Sequence, residues 1–252
     1  MSGSIQFLEM VAKMEINMIE DVVIEPMTEE FILWRCLHDG PLSCKTIDRL
    51  PERFRLQCEY YRERNVPLLR KLIQTYGTCA ILARDGEMVV GQLRFYPKVV
   101  RAMHGGYLCL QQDPPEGPAD EFADNDFPEL ADIEDKTLSV NCLMTGSSHR
   151  AENPYQRKGI GTRMAETLIK WAGENGWEHI EADALEELPL VYEVTPGYKF
   201  WEKLGFHIAD RYPHPVLQGQ DEWLQKLEEQ AKAAGISPKR ARDLIIMRLD
   251  LV

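Results

Sequence analysis

One stretch limits what this chain can fold into more than any other. Between residues 137 and 176 a strand pattern, a polar loop, a G-x-G pair and a helical pattern follow one another in that order. In "TLSVNCLMT", 137 to 145, Leu138, Val140, Cys142 and Met144 alternate on one side, the period of a strand with one buried face. The loop "GSSHRAENPY" follows. From Gly161 onward Met164, Ala165, Leu168, Ile169 and Ala172 recur at helical spacing, and Gly176 supplies a C-cap. Glycines at 159 and 161 permit backbone angles and a close approach that a Cβ would forbid. With the unpaired N–H groups and the dipole of the first helical turn, they predict a cradle for an anion. Arg157, Lys158 and Arg163 put positive charge beside it in a chain of formal net charge -12, so a phosphate-bearing cofactor is the natural occupant. The bland alternative is a tight turn into a helix.

The remaining patterns place this unit in a larger fold. "VVIEP", 22 to 26, reads as a strand stopped by Pro26, after which Thr28, Glu29 and Glu30 look like an N-cap and acidic first turn. Helical spacing runs from about 28 to 76, broken at "HDGPLS" and again before Pro67. "TCAILARDGEMVVGQLRFYP" gives two antiparallel strands joined at Asp85-Gly86. Residues 113 to 135 hold ten acidic residues, four prolines and no Lys or Arg, which predicts a solvated acidic loop or a mobile lid. "WEHIEADAL" is a further strand, "GYKFWEKLGF" a helix ended by Gly205, and "FHIADRY" and "DLIIMRLDL" the last two strands. Between these two, "DEWLQKLEEQAKAAG" is amphipathic, with Leu224, Leu227, Ala231 and Ala234 on one stripe for core packing or, alternatively, a homodimer contact.

Composition narrows the setting. A chain of 252 residues, 44% hydrophobic, can bury a substantial core in a single domain over 1–252, with an acidic insertion at about 97–136 and a helical insertion at about 213–242. The acidic balance argues against nucleic acid, and no apolar run approaches the roughly 20 residues that span a bilayer. The N-terminus lacks a cationic leader, so a cytoplasmic protein is expected. Six cysteines without a CxxC pair predict reduced thiols and no zinc ribbon, and no metal site is expected.

Three phosphate motifs compete for the cradle. A P-loop needs a lysine after its last glycine, where Thr162 stands. A dinucleotide fingerprint needs a third glycine where Met164 stands, and the preceding strand ends some 15 residues too early. What remains is Q/R-x-x-G-x-G/A, present as Gln156-Arg157-Lys158-Gly159-Ile160-Gly161. With "FWEKLGF" at 200 to 206, residues 138 to 212 resemble the core of the GNAT (GCN5-related) N-acetyltransferase superfamily.

The resemblance implies an α/β (α+β) fold: a mixed, mostly antiparallel twisted sheet with splayed central strands, flanked by helices. It implies that acetyl-CoA lays its pantetheine arm in the gap like an added strand, against Cys142, Leu143 and Met144. The amides of Gln156, Arg157, Lys158, Gly159, Ile160, Gly161 and Thr162 would take the phosphates. The implied reaction is direct transfer of an acetyl group to a primary amine, for which a base must take a proton. Glu181 and Asp183 share one face of their strand beside the expected gap and are the candidate bases, with His149 as a lesser one. Many relatives carry a proton-donating tyrosine four residues before the terminal glycine, where this chain has Trp201, so either Tyr198 or Tyr192 substitutes, or Tyr198 packs in the core and the thiolate leaves without a dedicated acid. Cys142 reads as a packing residue rather than a covalent nucleophile. A small amine, cationic if the acidic segment steers it, is the expected partner. Trp201 keeps a second class open, a non-catalytic acyl-CoA-binding regulatory module.

Overall fold

The structure, a computed structural model, describes residues 21–37, 52–103, 126–146, 153–191, 195–214 and 221–251. His149, Tyr192 and most of the acidic segment lie outside them. Seven strands form one sheet in the order β1-β2-β3-β4-β5-β7-β6. They are β1 (Val22–Pro26), β2 (Ala80–Asp85), β3 (Met88–Pro97), β4 (Thr137–Thr145), β5 (His179–Ala184), β6 (His207–Pro213) and β7 (Asp243–Asp250). Every pair is antiparallel except β4 with β5. The helices are α1 (Glu52–Tyr76), α2 (Lys98–Met103), α3 (Ile160–Glu174), α4 (Tyr198–Glu202), α5 (Asp221–Ala233) and α6 (Pro238–Ala241). This is the mixed, mostly antiparallel sheet with flanking helices that the resemblance implies.

The two faces of the sheet have different chemistry. On one, α3 buries Ile160, Met164, Ala165, Leu168 and Ala172, and Trp171 stacks at 5.4 Å on Phe95 of β3. The other carries Gln92, Arg94 and Tyr96, all fully buried. Arg94 donates from Nε to Gln92 (3.2 Å) and from Nη2 to the carbonyls of Leu33 and Arg35, which straps 33–37 onto β3. Asn65 of α1 in turn donates to Trp34 O at 2.8 Å, so α1 rests on that strap. A second, smaller apolar cluster joins Leu185, Leu188 and Val191 to Leu224, Leu227 and Ala231 of α5 and Leu244 of β7.

Four expectations need correction. Residues 28 to 31 make a tight bridge between Thr28 and Phe31 instead of opening a helix. α1 runs through Pro67 without a break, because a proline removes one helical hydrogen bond while Leu68, Leu69 and Leu72 beside it are buried. Residues 126 to 135 are docked, not a free acidic loop: Phe127 and Ile133 are buried and Tyr76 donates to Pro128 O at 2.7 Å. Ala234 is exposed, so the buried stripe of α5 is Leu224, Leu227 and Ala231.

Candidate active site

β4 and β5 run parallel and in register only from Thr137–His179 to Val140–Ala182. Beyond Val140 the β4 strand continues to Thr145 on β3 alone, while β5 ends at Ala184. The two strands therefore fork, and among the described residues 142–145 have no ladder partner in β5. The fork coincides with a bulge. Phe95 pairs with Val140 and Arg94 with Cys142, so Asn141 is an extra residue and the face alternation reverses across it. Cys142 and Met144 therefore do not continue the face of Leu138 and Val140, as their even spacing predicts. They turn to Gln92, whose Nε2 lies 3.5 Å from Cys142 Sγ and 3.7 Å from Met144 Sδ, while Leu143 takes the α3 side. The Cys142 thiol is pushed up by its hydrogen bond with Cys36 and by burial, which keeps it protonated and unsuited to nucleophilic attack.

The cradle stands at the open end of the fork. Gly159 occupies the α3 N-cap with φ 77°, and Arg157 also has positive φ, 57°. The first helical bond is Arg163 N–H to Gly159 O at 3.0 Å. Among the described residues no acceptor meets the N–H groups of Gly159, Ile160 or Gly161. A Cβ at Gly161 would lie 3.9 Å from Leu143 and 4.0 Å from Phe200, an ordinary contact, so nothing inside the chain demands glycine there. The loop before it is pinned at both ends: Asn153 donates to Thr145 O at 2.8 Å and Tyr155 OH to Asp85 at 2.8 Å. Burial and the Asp85 carboxylate push the Tyr155 phenol up to about 12. Gln156 and Arg157 are exposed and Lys158 and Thr162 half-buried. Arg163, counted from sequence among the cradle's cations, instead donates to Val22 O at 2.9 Å and ties α3 to β1.

The two candidate carboxylates differ sharply. Glu181, its side chain 12% exposed, is saturated with cations, Oε1 taking Lys98 (3.0 Å) and Arg248 (3.1 Å) and Oε2 taking Lys98 (2.9 Å). It is level with Ser139, inside the paired ladder. Asp183 is the residue after the last pair, at the fork itself, and its side chain is 37% exposed. Arg101 holds its Oδ2 at 3.1 Å, and Oδ1 has no hydrogen-bond partner among the described residues. Around it lie groups that the sequence did not single out. The Tyr212 phenol is pushed up by burial and then by Asp183, and the His214 imidazole is pushed down by burial against the opposing pull of Asp183, so both are neutral near pH 7. Leu244, two residues from Ile246, the β7 partner of Asp183, belongs to the second cluster, so α5 packs beside this corner of the site. Lys98 and Arg101 were legible only as an i, i+3 pair in "KVVRAM", with nothing to say that they meet alternate residues of β5.

Tyr198 is half-buried at the start of α4, its N–H bonded to Leu185 O at 3.1 Å just past β5. Trp201 is buried between Phe200 and Phe206 in the main core.

No family model matches the chain, and no curated protein matches it. Among solved structures it is similar to an aminoglycoside 6'-acetyltransferase type Ii, at 17% identity and a TM-score of 0.43, over 91% of this chain and 97% of that one. It is similar to Ard1 from Thermoplasma volcanium at 9% identity and a TM-score of 0.43, over 92% and 99%. It is also similar to a GNAT family acetyltransferase from Elizabethkingia anophelis with acetyl-CoA bound, at 14% identity and a TM-score of 0.40, over 92% and 99%. The sheet itself has one parallel pair, forked after Val140, with a glycine-capped helix between its strands in the chain. The chain has a mixed, mostly antiparallel seven-stranded sheet flanked by helices. The carboxylates of β5 lie on the sheet face away from α3. No described helix is long and apolar enough to cross a membrane.

Proposed function

We propose that this protein transfers an acetyl group from acetyl-CoA directly to the primary amine of a small molecule. The observation that carries this reading is the fork: among the described residues β4 presents 142–145 without a ladder partner in β5, and the first residue of β5 past the fork is a carboxylate with one oxygen unclaimed. The backbone edge of Cys142, Leu143 and Met144 would receive the pantetheine amides as an added strand, and the N–H groups at Gly159, Ile160 and Gly161 the pyrophosphate. Acetyl-CoA supplies the activated acyl group.

The acceptor then enters from the face of Asp183. Its ammonium must lose a proton before the nitrogen lone pair can attack the thioester carbon, and Asp183 Oδ1 is the proposed proton acceptor. The new C–N bond forms as the C–S bond breaks, the sulfur leaves as thiolate, and the nitrogen's second proton passes to solvent, from which Tyr198 is reprotonated after its own proton is given up. Tyr198, at the start of α4 and tethered to Leu185 just past β5, is the proposed donor of the proton that converts the thiolate to free CoA thiol. Trp201 cannot do so, since an indole N–H is not acidic. Glu181, held by three contacts to two cations, is proposed to organise β5, α2 and β7 rather than to take the proton.

Thiol release with a panel of amines tests this. Turnover above background with at least one primary amine, lost in Asp183→Asn by about 10²-fold or more, is the expected outcome. The buried Trp201 favours the second reading, an acyl-CoA-binding regulatory module, and CoA binding without turnover of any amine would establish it in place of the enzyme.

A further inference from the structure

The fork is bridged by one side chain. Arg101, from the short helix α2 that follows β3, donates through Nη1 to Ser139 Oγ and, at 3.3 Å, to the carbonyl of Val140, the last β4 residue in register with β5. Through Nη2 it donates to Asp183 Oδ2 at 3.1 Å, on the first β5 residue beyond the register. The guanidinium thus sits in the apex of the V, with contacts on both arms, and its side chain is only 13% exposed. One helical turn earlier, Lys98 makes the matching contact to Glu181. Three helical residues rise about 4.5 Å and two strand residues about 6.6 Å, close enough for long cationic side chains to meet alternate carboxylates. The two pairs differ in outcome, because Glu181 is saturated and Asp183 keeps Oδ1.

We propose that Arg101 is a positioning residue for the transfer reaction: it clamps the β4–β5 fork and holds Asp183 by one oxygen so that the other faces the acceptor amine. This role presupposes the amine transfer proposed above. A planar guanidinium is suited to it, since its fixed fan of N–H donors can reach a hydroxyl, a carbonyl and a carboxylate at once, whereas an ammonium is a point charge. A carboxylate free to rotate would sample orientations in which neither oxygen meets the amine, and misplacement of a reacting group by about 1 Å is enough to cost 10²-fold in rate.

The experiment compares the unsubstituted protein with Arg101→Met, Arg101→Lys, Asp183→Asn and the Arg101→Met/Asp183→Asn double variant, reading kcat, KM for acetyl-CoA and for the amine, and calorimetric CoA affinity. Arg101→Met should lower kcat by roughly 10-fold or more with CoA affinity within about 2-fold. Arg101→Lys should recover part of the rate. In the Asp183→Asn background the same Met substitution should add nothing, since the residue acts through Asp183. A rate in Arg101→Met equal to that of the unsubstituted protein, losses that multiply in the double variant, or a parallel fall in CoA affinity would overturn the clamp while leaving the transferase standing. No amine-dependent thiol release by the unsubstituted protein overturns both.

Discussion

Single residues in the groove separate what the fold needs from what a ligand needs. Gly159 has a left-handed φ of 77°, so any substitution there strains the backbone. Gly161 does not, and a Cβ fits. Gly161→Ala should therefore leave the protein as stable or up to about 1 kcal/mol more so, because alanine favours a helix, while Gly161→Val should abolish CoA binding with the fold intact. Denaturant melts and calorimetry on both variants check the divergence, and unchanged CoA affinity in Gly161→Val removes the phosphate cradle. Tyr155 belongs to the fold's side. Its phenol, near 10 when unfolded, is raised to about 12 in the folded state, so its contribution to stability is fully present below pH 10 and lost as pH rises through about 12. Tyr155→Phe should flatten that alkaline loss and cost about 1 kcal/mol at neutral pH through the hydrogen bond to Asp85. The left-handed turn at Gly159 and the start of α3 were legible in the sequence because glycine, N-cap and helix leave a local signature. The distinction between Asp183 and Glu181 was not, since it depends on which carboxylate the distant residues 98, 101 and 248 reach.

At the level of elements, every strand read from the sequence exists, and the strands 22–26 and 137–145 keep their bounds. What stayed hidden was the bulge at Asn141. Alternating apolar residues on both sides of it fit an uninterrupted strand equally well, and only pairing to β3 shows the extra residue. Pro67 misled in the opposite direction, because burial of the leucines after it outweighs a local rule for breaking helices. The helical insertion has its own apolar cluster, distinct from the main core that includes Ile160 and Met164. Leu227→Ala, at a fully buried position, should destabilise by about 2–4 kcal/mol. Because α5 packs beside the Asp183 corner and not at α3, the loss should raise KM for the amine well before it touches CoA affinity. Equal losses in both would place the insertion elsewhere in the reaction.

Across the whole molecule, the net charge of -12 favours encounter with cations, and a small basic amine is the acceptor we propose. The described end of the acidic segment qualifies how that charge acts. Residues 126 to 135 pack where Asp135 meets Thr137, at the start of β4 and away from the fork. Steering should therefore be a diffuse effect: kcat/KM for a polyamine should fall as salt rises, over a Debye length of roughly 8–10 Å, and that for a neutral amine should not. Equal salt response from both amines would dismiss it. The single parallel pair has a consequence of another kind. A sheet that opens along one seam leaves those N–H groups of 142 to 144 that point away from β3 without a strand on that side, so they should trade their hydrogens for deuterium quickly in the free protein and slow sharply once CoA is added. The same amides in β2, closed on both sides by β1 and β3, should keep one rate throughout. Stability in this molecule would then be local and conditional, with its central seam finished only while the cofactor is bound.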